Sequence, residues 1–176
     1  TSKETEKKFK GHPTNVNFLS ATKEPSNYFA SISNEDAINI WNVENENPVF
    51  SVAIPSQVYL GLDFCKVSKG YFLFVAHSNS SLRLGLLKVT KSNISLVGEA
   101  IVPFQDRDLL SAKIYNKRYV MLAVIQDRKP KFHIVSLFPD EESVEMKSQQ
   151  KIIDDINATI NKGFVPADAN NKKVPE

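Results

Sequence analysis

Cysteine, glycine, histidine and charge of one sign are all scarce in this chain. A single cysteine among 176 residues cannot close an internal disulfide, so Cys65 fits a reducing compartment and reads as a buried core thiol. Six glycines leave no Gly-rich phosphate loop. The three histidines, His12, His77 and His133, stand apart from one another. None has Cys, Asp or His at metal-ligand spacing, and a zinc site needs three or four converging ligands, so no metal and no cofactor is expected. Twenty-two basic residues against 20 acidic ones give a net charge of +2, almost no general pull toward nucleic acid. No apolar run approaches the roughly 20 residues of a membrane-spanning helix. The first ten residues, Thr1 to Lys10, are hydrophilic and lack the apolar stretch of a secretory leader. Membrane is therefore not an expected partner.

What the chain does have is a regular succession of short β-capable runs. Its hydrophobic fraction of 41% is enough to build a core. Val16–Leu19, Tyr28–Ile32 and Ala37–Val43 are followed by Pro48–Ile54, Val58–Phe64, Tyr71–His77 and Leu82–Val89. Ile94–Val102, Leu109–Tyr115, Tyr119–Ile125 and Phe132–Leu137 complete the series. Turn-formers separate them, among them Pro55-Ser56, Ser68-Lys69-Gly70, Asn116-Lys117 and Asp127-Arg128-Lys129-Pro130. The runs Tyr71–Ala76 and Tyr119–Val124 are apolar throughout, the mark of strands covered on both faces. Between Glu141 and Lys162 the pattern changes. Val144 and Met146 alternate with polar residues like an edge strand, whereas Ile152, Ile153, Ile156 and Ile160 share one helical face, predicting a short helix stopped at Gly163. Pro166 to Lys173 reads as a flexible tail.

Gly11-His12 and Trp41-Asn42 bracket the first three runs. A four-stranded unit of about 40–45 residues with Gly-His near its start and Trp-Asp near its end is a WD repeat, one blade of a β-propeller. The later runs repeat the rhythm without these markers, and a general antiparallel sandwich would produce the same rhythm. The expected fold class is all-β: antiparallel four-stranded blades of a WD-repeat propeller, about three of them in an incomplete ring, with a short C-terminal helix or tail. The expected organisation is a polar lead-in over 1–10, a partial propeller over 11–150, and a helix and tail over 151–176. Propellers have about 4–8 blades, so three leave two faces open and point to a fragment or a partner-bound piece.

In such a blade a loop histidine bonds to an acid in a tight turn, and a hydroxyl residue and the closing tryptophan extend the network. Here the histidine is His12, the hydroxyl Ser31 and the indole Trp41, with the acid at Glu35 or Asp36 and Asn42 in place of the final Asp. The role is structural. Asp106, Arg107 and Asp108 read as a solvated turn rather than a carboxylate pair, so no catalytic residue is assigned. Two basic clusters, Lys113, Lys117 and Arg118 around Tyr115 and Arg128, Lys129 and Lys131 around Pro130, are candidate contacts for RNA phosphates or a protein partner on a propeller rim.

From Lys7 to about Leu137 the chain resembles the last part of the propeller in a WD protein of the UtpA (t-UTP) subcomplex of the small-subunit processome. The residues that carry the resemblance are Phe9-Lys10-Gly11-His12 with Pro13 and Val16, and Ile38-Asn39-Ile40-Trp41-Asn42-Val43. An eroded unit ending in Leu82–Val89 and a Lys129-Pro130-Lys131-Phe132 entry to a final strand extend it. The family's helical C-terminal domain has no counterpart here. The resemblance implies a non-catalytic, nucleolar scaffold of ribosomal small-subunit biogenesis, acting in pre-rRNA processing and transcription. Its partners would be other propeller or helical proteins of a large complex, with pre-ribosomal RNA a second candidate. The alternative is a cytoplasmic adaptor propeller in a signalling, trafficking or ubiquitin-ligase complex.

Overall fold

The computed structural model describes residues 6–104 and 108–162. Among these, eleven strands form three antiparallel sheets, and one helix follows them. Sheet 1 is a meander of β1 (Val16–Ala21), β2 (Tyr28–Ser33), β3 (Ala37–Asn42) and β4 (Phe50–Ala53). Sheet 2 repeats it with β5 (Gly61–Ser68), β6 (Tyr71–His77), β7 (Ser81–Val89) and β8 (Ile94–Pro103). Sheet 3 has three strands, β9 (Leu109–Tyr115), β10 (Tyr119–Gln126) and β11 (Lys129–Ser136), before α1 (Gln149–Lys162). The all-β reading stands at that level.

Each sheet forms because its strands alternate against a face that must be covered. Sheet 2 lies in the middle, which explains the uninterrupted apolar run of β6. Phe72, Phe74 and Ala76 point toward sheet 1, into a core with Ala30, Ile32, Ile38 and Ile40. The intervening Leu73 and Val75 point the other way, into a core with Leu109, Val120, Leu122 and Val124 of sheet 3. The first strands of the sheets are neighbours: β1 lies beside β5, and β5 beside β9. Asp63 on β5 ties all three together. Its carboxylate accepts from Ser20 Oγ of β1 at 3.5 Å and from the Ile114 backbone N–H of β9 at 2.8 Å.

The expected fourth strand around Val144 and Met146 is not there. Residues 137–148 are irregular, Val144 is exposed, and Met146 is buried among sheet residues. The helix takes over the edge, packing on β8 and β11. Ile152, Ile156 and Ile160, one turn apart on one face, are fully buried there. Ser148 caps its start by accepting the Lys151 N–H at 3.3 Å. Asp155 on the polar side pairs with both Lys147 and Lys151 at 2.9 Å. The helix therefore begins two residues earlier than the sequence division at 151, and the expected stop at Gly163 and the tail lie outside the described residues. Among the described residues no helix is long and apolar enough to cross a membrane.

Candidate functional site

The best-defined polar constellation sits on the face of sheet 1 that looks away from sheet 2. Lead-in residues 7–14 cross that face. Lys10 N–H bonds to Glu46 O at 2.8 Å and Lys7 Nζ to Val43 O at 2.5 Å, which holds the segment down. Gly11 is required by close approach: a Cβ there would lie 2.7 Å from Pro48 Cδ and 2.9 Å from Trp41 Cη2. The lead-in thus brings His12 over the strand residues.

His12 Nδ1 lies 3.1 Å from Asp36 Oδ1 and its Nε2 lies 2.6 Å from Ser31 Oγ. Trp41 Nε1–H donates to the same Ser31 Oγ at 2.7 Å. A carboxylate only accepts, so Nδ1 carries the proton toward Asp36 and Nε2 accepts the Ser31 hydroxyl. The donors therefore run in one direction, from indole to hydroxyl to imidazole to carboxylate, and each bond polarises the next. Ser33 Oγ also donates to Asp36. Burial alone would push the Asp36 carboxyl up. The hydrogen bonds from Ser33, the Ala37 backbone and His12 outweigh it and hold the carboxyl below its ordinary 3.8. Asn39 completes the set, donating to Gly11 O at 3.2 Å and accepting from Ser51 Oγ at 2.6 Å. The acid is Asp36; Glu35, the other candidate, is exposed and makes none of these bonds.

In order and spacing, Ser31, His12 and Asp36 match a hydrolytic triad. Their surroundings do not. Ser31 is 2% exposed and its oxygen already accepts from Trp41, so the hydroxyl has no free approach for a carbonyl carbon. Trp41 is itself wedged in place, stacked on Phe29 at 8° with Phe9 edge-on at 78°. An open cavity of about 540 Å³ adjoins the network, and His12 and Ser31 line it together with Phe9, Lys10, Gly11, Thr14, Val16, Leu19, Phe29 and Trp41. Its wall is largely apolar, and the two network side chains that reach it are already bonded to each other.

The two basic clusters do not form one surface. Lys117 and Arg118 belong to the β9–β10 turn and Arg128 and Lys129 border the β10–β11 turn, at opposite ends of the eight-residue β10. At about 3.3 Å per residue that separates them by roughly 25 Å. Lys117 is ion-paired with Glu24 across the inner strands, and Lys131 lies 3.6 Å from Asp127. Arg118 stacks on Phe138 at 4.4 Å and donates to the carbonyls of Asp140 and Ser143 at 2.6 Å. Lys113, Arg128 and Lys129 are exposed.

His77 closes β6 with its ring packed against Gly61. It is 2% exposed, and neither ring nitrogen makes a hydrogen bond of good geometry. Burial holds its pKa below the ordinary 6.5, a shift the Leu110 backbone offsets only in part. Cys65 is half-buried, and burial followed by the Asp63 charge pushes its thiol up to about 12, so it stays protonated. Asp106 and Arg107 lie outside the described residues, and Asp108 is exposed. Among the described residues no three His, Cys, Asp or Glu side chains gather as a metal site. No protein-family model matches the chain, and no curated protein matches it either.

Proposed function

We propose that the three sheets are consecutive blades of a WD-type propeller arc, and that the chain is a non-catalytic scaffold of ribosomal small-subunit biogenesis. The observation that carries this reading is the bonding of Ser31. The arrangement with hydrolytic spacing found among the described residues uses its hydroxyl to fasten the lead-in, His12 and Trp41 to the sheet, so its polar groups are spent on architecture. The adjacency of β1, β5 and β9 supports a radial placement of the sheets, and the outer faces of sheets 1 and 3 give a scaffold surfaces to bind with. The small-subunit setting rests on the sequence resemblance over residues 7–137. Protein partners come first: the basic residues are split between two ends and half of them are engaged, so they offer RNA no continuous track.

Depletion of the protein from growing cells tests the reading. Small-subunit rRNA should fall relative to large-subunit rRNA while unprocessed precursor accumulates, and affinity capture should recover processome subunits. Normal rRNA ratios, with coat or ubiquitin-ligase subunits captured instead, would overturn it in favour of the adaptor.

A further inference from the structure

Sheet 2 gathers charge of one sign at one end. Residues 64–98 contain five basic side chains and no acid. Arg83 is bonded to Glu99 at 2.8 Å, whereas the fold carries the other four, Lys66, Lys69, Lys88 and Lys91, to a single end of the sheet. Lys66 pairs across from Phe72 and Lys88 from Tyr71, so the two flank the start of β6. Lys69 lies in the β5–β6 turn and Lys91 in the β7–β8 turn, and the Val89 N–H, bonded to Gly70 O at 2.7 Å, ties the end of β7 to the first turn. Lys69, Lys88 and Lys91 are exposed and Lys66 is half-buried. Among the described residues none of the four is ion-paired. The backbones of β5 and β7 are two strand spacings apart, roughly 10 Å, so the like charges share an area little wider than a Debye length of ~8 Å. Such crowding works against the folded chain unless an anion relieves it.

Two open hollows lie between this end of sheet 2 and sheet 1. One, of about 400 Å³, is bordered by Ser26, Asn27, Tyr28, Lys66 and Gly70. The next, of about 300 Å³, shares Tyr28 and is bordered by Asn42, Asn45, Thr90, Lys91 and Asn93. Amide and hydroxyl side chains of this kind suit the N–H and C=O groups of an extended peptide backbone. The aromatic rings at the hollows are already covered, so a nucleic-acid base finds no platform to stack on. Tyr28 packs on Phe72 with ring centroids 5.3 Å apart, and Lys88 Nζ sits 5.9 Å over Tyr71.

We propose that this groove binds an extended, acidic segment of a protein partner, with carboxylates on the four lysines and backbone against the asparagine-lined hollows. An extended chain repeats alternate side chains about every 7 Å, so acids at alternate positions meet successive lysines. Two acids on the sheet 1 side bound the surface. Glu24 is taken by Lys117. Glu44, 3.5 Å from Asn27 Nδ2, repels an incoming carboxylate and keeps the segment toward sheet 2. The surface needs only the packing of sheets 1 and 2, so it stands apart from the propeller reading and from the complex the chain serves.

Fluorescence anisotropy of a labelled oligoglutamate peptide, titrated with the 176-residue chain, tests this. Saturable binding with a Kd below about 1 mM is expected at ~0.15 M salt, weakening as salt is raised. An oligoglutamine peptide should not bind. Lys69→Glu with Lys91→Glu alters two exposed turn residues, so the double variant should fold. Each reversal exchanges an attraction for a repulsion, so affinity should fall at least about tenfold. Lys69→Gln with Lys91→Gln removes charge without adding repulsion and should give a smaller loss. Arg128→Glu with Lys129→Glu makes the same change in net charge beside the β10–β11 turn, away from the groove, and should leave affinity within about twofold because salt screens distant charges. Absent binding overturns the proposal. So does an equal loss in the two reversal pairs, which would reduce the attraction to net charge. A single-stranded oligouridylate that binds more tightly than oligoglutamate, and loses affinity in the Lys69→Glu, Lys91→Glu variant, would overturn it in favour of RNA.

Discussion

Sheets 1 and 3 start from similar strand patterns and finish their outer faces in different ways. Sheet 1 has four strands, and a lead-in segment is stitched across it by the bonds among Trp41, Ser31, His12 and Asp36. Sheet 3 has three strands, a helix on its edge and, among the described residues, nothing packed on its outer face, where Phe132 is 72% exposed. The difference lies in where polar side chains fall on the pleat. Ser31, Asp36 and Asn39 of sheet 1 give the lead-in fixed hydrogen-bonding points, Ser33 and Ser51 brace Asp36 and Asn39 from behind, and a buried polar group gains only when its partner is in place. Met121, Ala123 and Ile125 on the central strand of sheet 3 offer none, and its polar Ser111, Lys113 and Ser136 lie on the flanking strands. The first face is covered by a lead-in segment, and the second is exposed among the described residues.

The largest expected effect breaks the comparison at its centre. Trp41→Ala should cost about 3–5 kcal/mol, the usual loss for truncating a buried large aromatic, since Trp41 is 3% exposed. Phe132→Ala should stay within about 0.5 kcal/mol, the usual range for an exposed side chain. Urea denaturation of both variants checks this. Equal losses would mean that the two outer faces are equally committed to the fold.

Next in size is the polar network itself. Ser31→Ala leaves the Trp41 indole and the His12 ring without their shared partner and should cost about 1–3 kcal/mol. Gly61→Ala should cost about as much for a steric reason, because its Cβ would lie 2.3 Å from His77 Cε1 and overpacking typically costs 1–3 kcal/mol. Thermal melts rank the two, and a Gly61→Ala protein as stable as wild type would show that the His77 ring is free to move.

Acid should then separate two titrating groups. The folded-state pKa of His77 is depressed below 6.5, so its contribution is complete above that value and is lost as pH falls toward the folded pKa. The Asp36 pKa is also depressed, below 3.8, so its contribution persists until more acid conditions. Stability should accordingly decline in two limbs, the first with a slope of at most about 1.4 kcal/mol per pH unit and the second shared by Asp36 with Asp155 and Glu24, whose carboxyls are also held low. His77→Phe should flatten the limb just below pH 6.5, and Asp36→Asn should make the more acid limb shallower. A His77→Phe profile parallel to wild type would remove His77 from the account.

Much of the fold was legible in the sequence, because alternation and turn chemistry are local. Tyr71–His77 and Leu109–Tyr115 match β6 and β9 end to end. The edge of sheet 3 was not legible. Val144 and Met146 alternate as a strand would, but Met146 is buried because α1 draws the chain back over sheet 2, a tertiary effect with no local signal. His12, Ser31 and Trp41 could be named from spacing; Glu35 and Asp36 could not be told apart, being adjacent acids on one turn. The distance between the two basic clusters was not legible either. Residues a few positions apart on either side of a β-strand lie close in sequence, yet a hairpin carries its two turns to opposite ends of the sheet.

The smallest effect concerns those two turns. Asn116 and Lys117 have φ of 46° and 62°, and Asp127 and Arg128 have φ of 53° and 61°, so both hairpins turn through two consecutive left-handed residues; these are the whole loop between Gln126 and Lys129, while Arg118 adds a third residue between Tyr115 and Tyr119. Asn and Asp tolerate that region, but a long side chain at the second position strains the backbone, and glycine is the residue such a turn favours. Arg128→Gly should therefore stabilise sheet 3 by a few tenths up to about 1 kcal/mol, less what glycine adds to the freedom of the unfolded chain. Lys117→Gly relieves the same strain and also removes the ion pair to Glu24, an exposed and solvent-screened contact, so its gain should be smaller than that of Arg128→Gly or vanish. Melting temperatures in low and high salt distinguish the contributions. The difference between the two variants should narrow as salt screens the Lys117–Glu24 pair. A destabilised Arg128→Gly at either salt concentration would show that the Arg128 side chain holds the turn through contacts worth more than the strain.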